Sequence, residues 1–314
     1  MAGYSYGYKA SFGSGNTFSN DLADADSASV FGDANTVSGA TNGAFICGTG
    51  NIIQANGAQG ITTIGKNNTV DRYTAIAIGS GNTASGNRST AIGRSNVNEG
   101  TSTFSIGNDN EMSSNGGILI GSDNTATGGV PIVLGSGNTS TSTTNQFGLL
   151  HGCTMSNPSY ITQLGAWTIA RWYGGLHLGM QVSNGAGTDQ VMWGGCRGTT
   201  TDNTETEIFL AGITNERMDV LTDSTIGFKY TITARRTDVD GGSAYWQGHG
   251  LIRNDGGTEA IVGSVTKTKV ASEGITTADI AFTAANDALT LKVTGEAAKT
   301  INWHAVIEAN QVVG

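Results

Sequence analysis

The stretch YTAIAIGSGNTASGNRSTAIGRSNVNEGTSTFSIGNDNEMSSNGGILIGSDN, residues 73–124, repeats an apolar–Gly–x–x–Asn motif at a fixed interval. Further copies of the motif stand at residues 12–16, 31–35, 47–51, 64–68 and 134–138. The motif glycines are separated by 19, 16 and 17 residues and then by five steps of 14. A short, constant period is typical of stacked repeats, which more often build scaffolds or adhesive surfaces than catalytic pockets.

The motif has the chemistry of a strand followed by a turn. The residues one and three positions before the glycine, such as Ile78 and Ile76, are mostly apolar, and their spacing places both on one face of a strand. Gly-x-x-Asn then favours a turn, because glycine and asparagine tolerate positive φ. A second turn signal follows at Gly86 and Gly100. Each 14-residue unit therefore predicts strand–turn–strand–turn, one coil of a parallel β-roll whose coils stack about 4.8 Å apart.

Two residue types mark the predicted turns of the regular coils. These are Gly65, Asn68, Gly79, Asn82, Gly93, Asn96, Gly107, Asn110, Gly121, Asn124, Gly135 and Asn138. The asparagine side chains either form a ladder along the stack or each suit their own turn, and the sequence leaves both interpretations open.

The composition favours an all-β chain and excludes several classes of protein. There are 48 glycines without a Gly-X-Y period, which excludes collagen, and only 2 prolines, which argues against a disordered linker. The net charge of −9 disfavours nucleic acid as a partner. The start, MAGYSYGYKASF, has no apolar core of a signal peptide, and no run is long enough for a membrane helix. The cysteines Cys47, Cys153 and Cys196 fit neither a disulfide framework nor a zinc site.

Each coil is too small to have a substantial core of its own. Few side chains can point inward, so the burial per coil is thin relative to the entropy of backbone ordering. The repeat therefore predicts association with further copies of the chain. The stretch TAIAIGSGNTASGNRSTAIG, residues 74–93, resembles the head repeat of trimeric autotransporter adhesins. That resemblance covers residues 12–138 and implies a left-handed parallel β-roll or β-helix that assembles as a homotrimer.

The repeat weakens after residue 138. Apolar–Gly pairs continue at Phe147–Gly148, Leu164–Gly165 and Leu178–Gly179, which predicts degenerate coils over residues 139–182. The segment AWTIARWYGG contains Trp167, Trp172 and Tyr173. These aromatics are predicted to pack in the axis or cap of the roll, with a sugar-stacking surface as the alternative. Residues 1–11 are predicted to be a short attachment segment ahead of the regular roll at 12–138.

A different pattern begins at about residue 183. Alternating stretches with short turns between them run over residues 205–213, 225–238, 243–255, 259–270, 279–284, 288–295 and 299–313. They predict an antiparallel β-sandwich or jelly-roll-like domain over 183–314. The segments FKYTITARRTD, GGSAYWQGHGLIRND and LTLKVTGEAAKTINWHAVIEANQVV resemble a C-terminal domain of phage tail-fibre and tailspike proteins. That resemblance implies a part of a virion appendage.

No catalytic constellation is readable from the sequence. The carboxylate pairs Asp238/Asp240 and Glu205/Glu207 are the candidates for glycoside hydrolysis, but their setting predicts solvated surface acids. The histidines lack metal-ligand spacing, and no nucleophile elbow or phosphate loop occurs. We therefore expect no catalytic residue, no metal and no cofactor. Trp193, Tyr245, Trp246 and His249 are the candidate receptor-binding residues, and strand alternation allows only one of Tyr245 and Trp246 to be displayed.

The function predicted from these features is non-enzymatic. The chain is expected to be a homotrimeric phage tail fibre or spike, located in the virion, that attaches to polysaccharide or protein on the host surface. Weak binding at each of three tips would be strengthened by avidity. Its other partners would be tail or capsid proteins, with no nucleic acid and no membrane insertion. Two alternatives remain open: a capsid or tail decoration protein that stabilises the particle, and a polysaccharide depolymerase.

Overall fold

A computed structural model of the chain describes residues 9–18, 27–38, 41–54, 58–141, 145–155, 160–179 and 189–314. These residues form strands, turns and connecting segments, and the described part contains no helix, as the composition predicts. In the same residues nothing resembles a membrane-spanning helix. The chain divides into two compact units, Met1–His151 and Gly152–Gly314. Most of the predicted attachment segment, residues 1–8, lies outside the described residues.

The strands of the first unit are short and follow one another closely. They are β1 (Lys9–Phe12), β2 (Thr17–Phe18), β3 (Ser27–Asp33), β4 (Thr36–Val37), β5 (Thr41–Thr49), β6 (Ile52–Ile53), β7 (Ala58–Gln59), β8 (Thr62–Lys66), β9 (Thr69–Val70), β10 (Ile76–Ser80), β11 (Thr83–Ala84), β12 (Thr90–Arg94), β13 (Val97–Asn98), β14 (Phe104–Asn108), β15 (Glu111–Met112), β16 (Ile118–Ser122), β17 (Thr125–Ala126), β18 (Pro131–Ser136), β19 (Thr139–Ser140) and β20 (Gln146–His151).

The strands of the second unit begin short and become longer. They are β21 (Thr154–Met155), β22 (Thr162–Ala166), β23 (Leu176–Gly179), β24 (Asp189–Thr200), β25 (Glu205–Leu210), β26 (Met218–Asp219), β27 (Ser224–Arg236), β28 (Ser243–Asp255), β29 (Thr258–Ile261), β30 (Thr268–Glu273), β31 (Asp279–Ala285), β32 (Ala288–Thr294) and β33 (Ile301–Val313).

The first unit is a parallel β-solenoid. Each longer strand pairs in parallel with its counterpart one repeat later, so that Ile64, Ile78 and Ile92 lie side by side in β8, β10 and β12. The two-residue strands form a second parallel row, as in the pairing of β11 with β9 and β13. The prediction of stacked parallel coils with a 14-residue register is confirmed.

The side chains that fill the interior of the coils range in size from alanine to leucine. The inward position of the longer strand lies two residues before the motif glycine, and it holds Ala77, Ala91 and Ser105 in successive coils. The larger residues at the adjacent positions, including Ile64 and Ile120, face outward and are each 36% exposed. An apolar stripe, defined here as the residues one and three positions before each motif glycine, therefore runs along the outside of the stack.

The motif asparagines form a continuous hydrogen-bonded ladder inside the coils. The Nδ2 of Asn96 donates to Oδ1 of Asn82 at 3.0 Å, and Nδ2 of Asn110 donates to Oδ1 of Asn96 at 2.8 Å. The same amide of Asn96 also donates to the carbonyl oxygen of Gly107 at 2.8 Å. Of the two interpretations left open by the sequence, the structure has the ladder. Asn68, Asn82 and Asn96 also serve their own turns, each donating to the carbonyl oxygen four residues earlier.

One degenerate coil does not follow the register that its glycine predicts. In the pairing of β18 with β20, Leu134 lies beside Leu149, and Gly135 lies beside Leu150. Gly148 occupies the inward position instead, opposite Val133. The predicted motif Phe147–Gly148 is therefore wrong by two residues, because a small side chain suits the inward position as well as the turn. The pair Leu164–Gly165 does align with Leu178–Gly179, as predicted.

Beyond the last coil, the strands become antiparallel. The strands β24, β33, β27 and β28 pair in that order, and β32 pairs with β25, β26 and β31. The strict alternation of buried and exposed residues in β33 places its buried side chains in one core with those of β32. The predicted stretch at 259–270 is interrupted, with β29 and β30 separated by an irregular segment. The strand β24 was not predicted.

Candidate functional site

Three of the four carboxylates singled out in the sequence are committed to ion pairs. Both oxygens of Asp238 accept hydrogen bonds from Arg236 at 2.7 Å, and this interaction lowers the pKa of Asp238 to about 2. Glu207 accepts two hydrogen bonds from Arg217, at 2.7 and 3.1 Å. Glu205 pairs with Lys292 at 3.1 Å. A carboxylate held by a cation is a poor proton donor, so these three residues do not suit the role of a general acid.

The structure points to a different carboxyl, that of Asp219. This residue ends the short strand β26, which pairs with β32 and places Asp219 opposite Ala288. The pKa of Asp219 is raised to about 6, first by desolvation and then by the negative charges of Glu216 and Asp287, against the opposing effects of Arg171 and Arg217. The residue as a whole is exposed, so solvent screens part of this effect.

Backbone hydrogen bonds hold Asp219 in place from two sides. The indole Nε1 of the buried Trp172 donates to the carbonyl oxygen of Asp219 at 3.3 Å. The next residue, Val220, donates its backbone N–H to the carbonyl oxygen of Asp287 at 2.8 Å. The buried side chain of Asn254 connects the two segments, donating to Val220 O at 3.0 Å and to Asp287 Oδ1 at 3.3 Å.

Asp287 reaches this position because of a tight turn. Asn286 and Asp287 both have positive φ, 57° and 55°, and connect β31 to β32. Two central residues with positive φ are typical of a type I′ hairpin, and asparagine and aspartate tolerate that conformation. The sequence AAND predicts the turn, but not that it places Asp287 close to Asp219.

An arginine and a histidine lie behind the carboxyl cluster. The half-buried Arg171 has its pKa lowered by desolvation, while the charge of Asp219 opposes that change. His177, in β23, is fully buried, and its Nε2 accepts the backbone N–H of Trp172 at 3.4 Å. Its Nδ1 has no hydrogen-bond partner in the described part of the chain. Burial lowers the pKa of His177 to about 4, so the ring is neutral above that pH.

His177 makes the stability of the second unit dependent on pH. The unfolded chain binds a proton at this histidine near pH 6.5, and the folded chain only near pH 4. Stability is therefore expected to fall as the pH is lowered between these values, by at most roughly 3 kcal/mol. The raised pKa of Asp219 acts in the opposite sense, with stability lost as pH rises towards 6. The measurement compares the free energy of unfolding of wild type with that of His177→Gln, first at pH 7 and then at pH 4.5. The difference between the two proteins is expected to change with pH. An unchanged difference would contradict the expectation.

Aromatic side chains on the last coil are partly open to solvent. Tyr160 is 58% exposed, and its ring meets that of Tyr173 edge-on at 6.0 Å. Trp167 is 40% exposed, whereas Trp172 is fully buried. The predicted packing role holds for Trp172, and Tyr160 presents the kind of ring face on which sugars stack. No cluster of three or more metal-ligating residues occurs in the ranges that the structure describes.

Three of the four predicted receptor-binding residues share one surface. Trp193, Tyr245 and His249 occupy outward positions of the sheet formed by β24, β33, β27 and β28, which we call the outer sheet face. The register places Trp193 and His249 in one row, with Glu308 and Lys229 between them. Their receptor-binding role stays a prediction.

Trp246 is oriented the other way, as strand alternation requires. It is fully buried, with its ring 5.4 Å from that of Trp303 and the Lys269 ammonium 5.0 Å from its centroid. In this conformation the side chain cannot meet a ligand from solvent. Of the pair considered in the sequence, Tyr245 is the one on the outer sheet face.

Comparison with known proteins gives a weak structural likeness to phage tailspikes. No protein-family model matches the sequence, and no curated protein does. The structure is similar to the tailspike gp49 of Acinetobacter baumannii bacteriophage Fri1, a capsular polysaccharide depolymerase, at 11% identity and TM-score 0.27, over 91% of this chain and 62% of that one. It is also similar to the tailspike of Acinetobacter baumannii phage AM24, at 11% identity and TM-score 0.30, over 97% of this chain and 68% of that one.

This likeness assigns no residue, but it corrects one prediction. The sequence predicts a non-enzymatic attachment protein with no catalytic function. The Fri1 tailspike is a capsular polysaccharide depolymerase, so the comparison contradicts that prediction. The signal for an alternative was present in the segment NERMDVLTD, residues 215–223, whose density of charge is unusual in a chain with only 13% charged residues.

Proposed function

We propose that the protein is a tailspike-type enzyme of a bacteriophage virion that cleaves polysaccharide, with Asp219 as its general acid. The observation that carries the proposal is the pKa of Asp219, raised to about 6 in an exposed residue beside two further carboxyl groups. Enzymes place a carboxyl of raised pKa where a leaving group must be protonated near neutral pH. Capsular polysaccharide, which the Fri1 tailspike depolymerises, is the substrate class.

The proposed reaction is hydrolysis of a glycosidic bond by two carboxyl groups. The Asp219 carboxyl donates its proton to the glycosidic oxygen as the bond from that oxygen to the anomeric carbon breaks. Glu216 or Asp287 accepts a proton from the attacking water, whose oxygen forms the new bond to the anomeric carbon. One water is consumed and one new reducing end is formed. The base then releases its proton to solvent, and Asp219 regains a proton from solvent.

Other surfaces of the second unit would hold the polymer. Trp193 and Tyr245 offer partly exposed rings on the outer sheet face, and His249 offers an exposed imidazole. Tyr160 offers a further ring next to the segment that carries Arg171 and Trp172. Aromatic faces bind sugar rings by stacking, and a polymer allows several weak contacts to act together.

The test of the proposal is loss of cleavage on removing the acid. Purified wild-type protein, incubated with capsular polysaccharides, is expected to shorten at least one of them, as measured by size-exclusion chromatography and reducing-end release. Asp219→Asn is expected to reduce the rate by roughly 10²–10⁴-fold, the usual contribution of a general acid. The wild-type rate should fall as the pH rises through about 6, where Asp219 loses its proton. In Asp219→Asn this fall should shift or disappear.

Asp240→Asn is the matched control. Asp240 is an exposed aspartate and belongs to the pair Asp238/Asp240 that was considered in the sequence. It should retain the full rate. Equal activity of Asp219→Asn and wild type, or loss of activity only in Asp240→Asn, would contradict the assignment of the acid. Failure of wild type to shorten any of the polysaccharides would contradict the enzymatic function.

The finer architecture also belongs to the proposal. We propose a left-handed solenoid, residues 12–138, that assembles as a homotrimer through its apolar stripe, and a C-terminal sandwich over 183–314 that follows the coils at 139–182. The support for self-association is the outward position of Ile64, Ile120 and Leu149, which are 36%, 36% and 46% exposed in the single chain. An apolar surface that is continuous from coil to coil is typical of an interface.

A charge in the stripe is expected to weaken self-association without unfolding the coil. Ile78 faces outward between Ile64 and Ile92, so Ile78→Asp would bury a carboxylate only when copies meet. We expect wild type to have the mass of a trimer in solution and Ile78→Asp to dissociate more readily on dilution. Ser80→Asp, on the same strand but outside the stripe, should behave as wild type. A monomeric wild type would rule out the homotrimer.

A further inference from the structure

A depression on the outer sheet face has a lining that suits an anion. It has a volume of about 410 Å³ and lies beside β24 and β33, where Arg197, Thr199, Asn302 and His304 line it. None of the residues that line it is acidic, although the whole chain carries a net charge of −9. The location is therefore one where a negatively charged ligand meets hydrogen-bond donors rather than carboxylates.

The arginine in this depression is held by a turn shaped to receive it. The Nε of Arg197 donates to the carbonyl oxygen of Ala211 at 2.6 Å. Gly212 follows with a φ of 75°, and a Cβ at that position would come within 2.9 Å of both Cγ and Nε of Arg197. The turn thus needs glycine so that the side chain can lie against it. The terminal guanidinium nitrogens have no partner among the described residues and stay available as donors.

The neighbouring polar groups are arranged as donors too. Thr199 donates its hydroxyl to Oδ1 of Asn302 at 2.8 Å, which occupies the amide oxygen and leaves Nδ2 as a donor. His304 lies in the same row as Arg197, and its ring is exposed and without a hydrogen-bond partner in the described ranges. A fixed guanidinium fork with an amide beside it matches the geometry of a planar carboxylate.

We propose that this depression binds the carboxylate of an acidic sugar unit in the polysaccharide. The inference deepens the proposed function and rests on it for the identity of the polymer, although binding itself requires no cleavage. The row that contains Arg197 and His304 continues through Thr233 to Tyr245. The site therefore connects the carboxylate of one sugar with an aromatic ring positioned for another.

The test uses two small sugars that differ only in the carboxylate. Methyl β-D-glucuronide and methyl β-D-glucoside are titrated into the full chain, and binding is followed by ligand-observed NMR. The glucuronide is expected to bind with a dissociation constant on the order of 1 mM, and the glucoside at least about tenfold more weakly. Arg197→Gln should weaken glucuronide binding at least about tenfold, and Arg253→Gln, an arginine of the same face paired with Asp255, should leave it unchanged.

Asn302→Asp is a second variant that keeps the proposal testable if Arg197→Gln fails to fold. Asn302 is exposed, so the substitution places a negative charge in the depression with little effect on packing, and glucuronide binding should be lost. Equal binding of the two sugars, or full glucuronide binding by both variants, would overturn the inference. Cleavage of polysaccharide without any glucuronide binding would overturn this site alone. Glucuronide binding without cleavage of any polysaccharide would overturn the enzymatic function and leave the site in place.

Discussion

Gly79→Ala is expected to prevent the solenoid from forming its regular stack. Gly79 has a φ of 122°, a conformation that residues with a side chain rarely adopt, and a Cβ there would lie 1.9 Å from the carbonyl oxygen of Gly93 in the next coil. The clash is with backbone, which cannot move aside without breaking the pairing of β10 with β12. We expect a loss of more than about 4 kcal/mol in the free energy of unfolding, or no soluble protein.

The control is Gly81→Ala in the same coil. Gly81 also has positive φ, 68°, but the nearest atoms to a Cβ there belong to Ser95 at 3.8 Å and beyond. Only the backbone preference is lost, at about 1 kcal/mol. Denaturant unfolding followed by circular dichroism compares the two variants. Equal stability of the two would show that contact between the coils does not limit the residue at position 79.

Asn96→Asp is expected to destabilise the solenoid strongly at neutral pH and much less in acid. Asn96 is fully buried, and its Nδ2 donates to Asn82 Oδ1, Ile92 O and Gly107 O. In the variant, one carboxylate oxygen can still accept the hydrogen bond from Asn110. The other oxygen replaces the donor Nδ2 and faces the same three oxygens without a hydrogen to donate. We expect a loss of roughly 3–5 kcal/mol at pH 7.

The sign of the pH effect follows from the protonation of the new carboxyl. Folding disfavours its charged form, so its pKa rises above the unfolded value near 3.9. Below that value the carboxyl is protonated and again provides one hydrogen-bond donor. As the pH rises through that value, the variant progressively loses stability. Asn108→Asp, an exposed position in the neighbouring coil, should show no such dependence. Identical unfolding curves of Asn96→Asp at pH 3.5 and 7 would contradict a buried ladder.

The periodic part of the fold was predictable because its constraints are local. A glycine at the crowded position and an asparagine three residues later recur in every regular coil of residues 12–138, and both have a direct physical reason to be there. The sequence did not reveal which apolar residues turn inward. The spacing of Ile76 and Ile78 places them together on one face, but only the width of the coil decides that Ala77 faces the interior.

The antiparallel part shows the limits of alternation as a signal. Strands with regular alternation, such as β27, β28 and β33, were found nearly to the residue. The strand β24 was missed, since GGC at its centre resembles a turn. In the structure Gly194 faces the core, where a Cβ would come within 2.9 Å of Trp172 and Leu210. A glycine that makes room for a tryptophan from another segment cannot be recognised from its own neighbourhood.

The sequence marks the charged segment at 215–223 but not the environment that raises the pKa of Asp219. Asp219, Asp287 and Arg171 come from three distant parts of the chain, and their effect on one another depends on tertiary folding. The sequence instead drew attention to acids close together in the chain. Three of those four acids, Asp238 among them, are paired with cations by the same fold.

The ladder and its parallel register give the solenoid a modular length. Each coil presents to the next the same donors and acceptors that it receives from the one before, so any regular coil can stack on any other. Removing residues 80–93 would join Gly79 to Arg94 and recreate an intact Ile–Gly–Arg–Ser–Asn motif. Gain or loss of whole units would therefore change the length of the solenoid in steps of about 4.8 Å while leaving every remaining contact of the same kind.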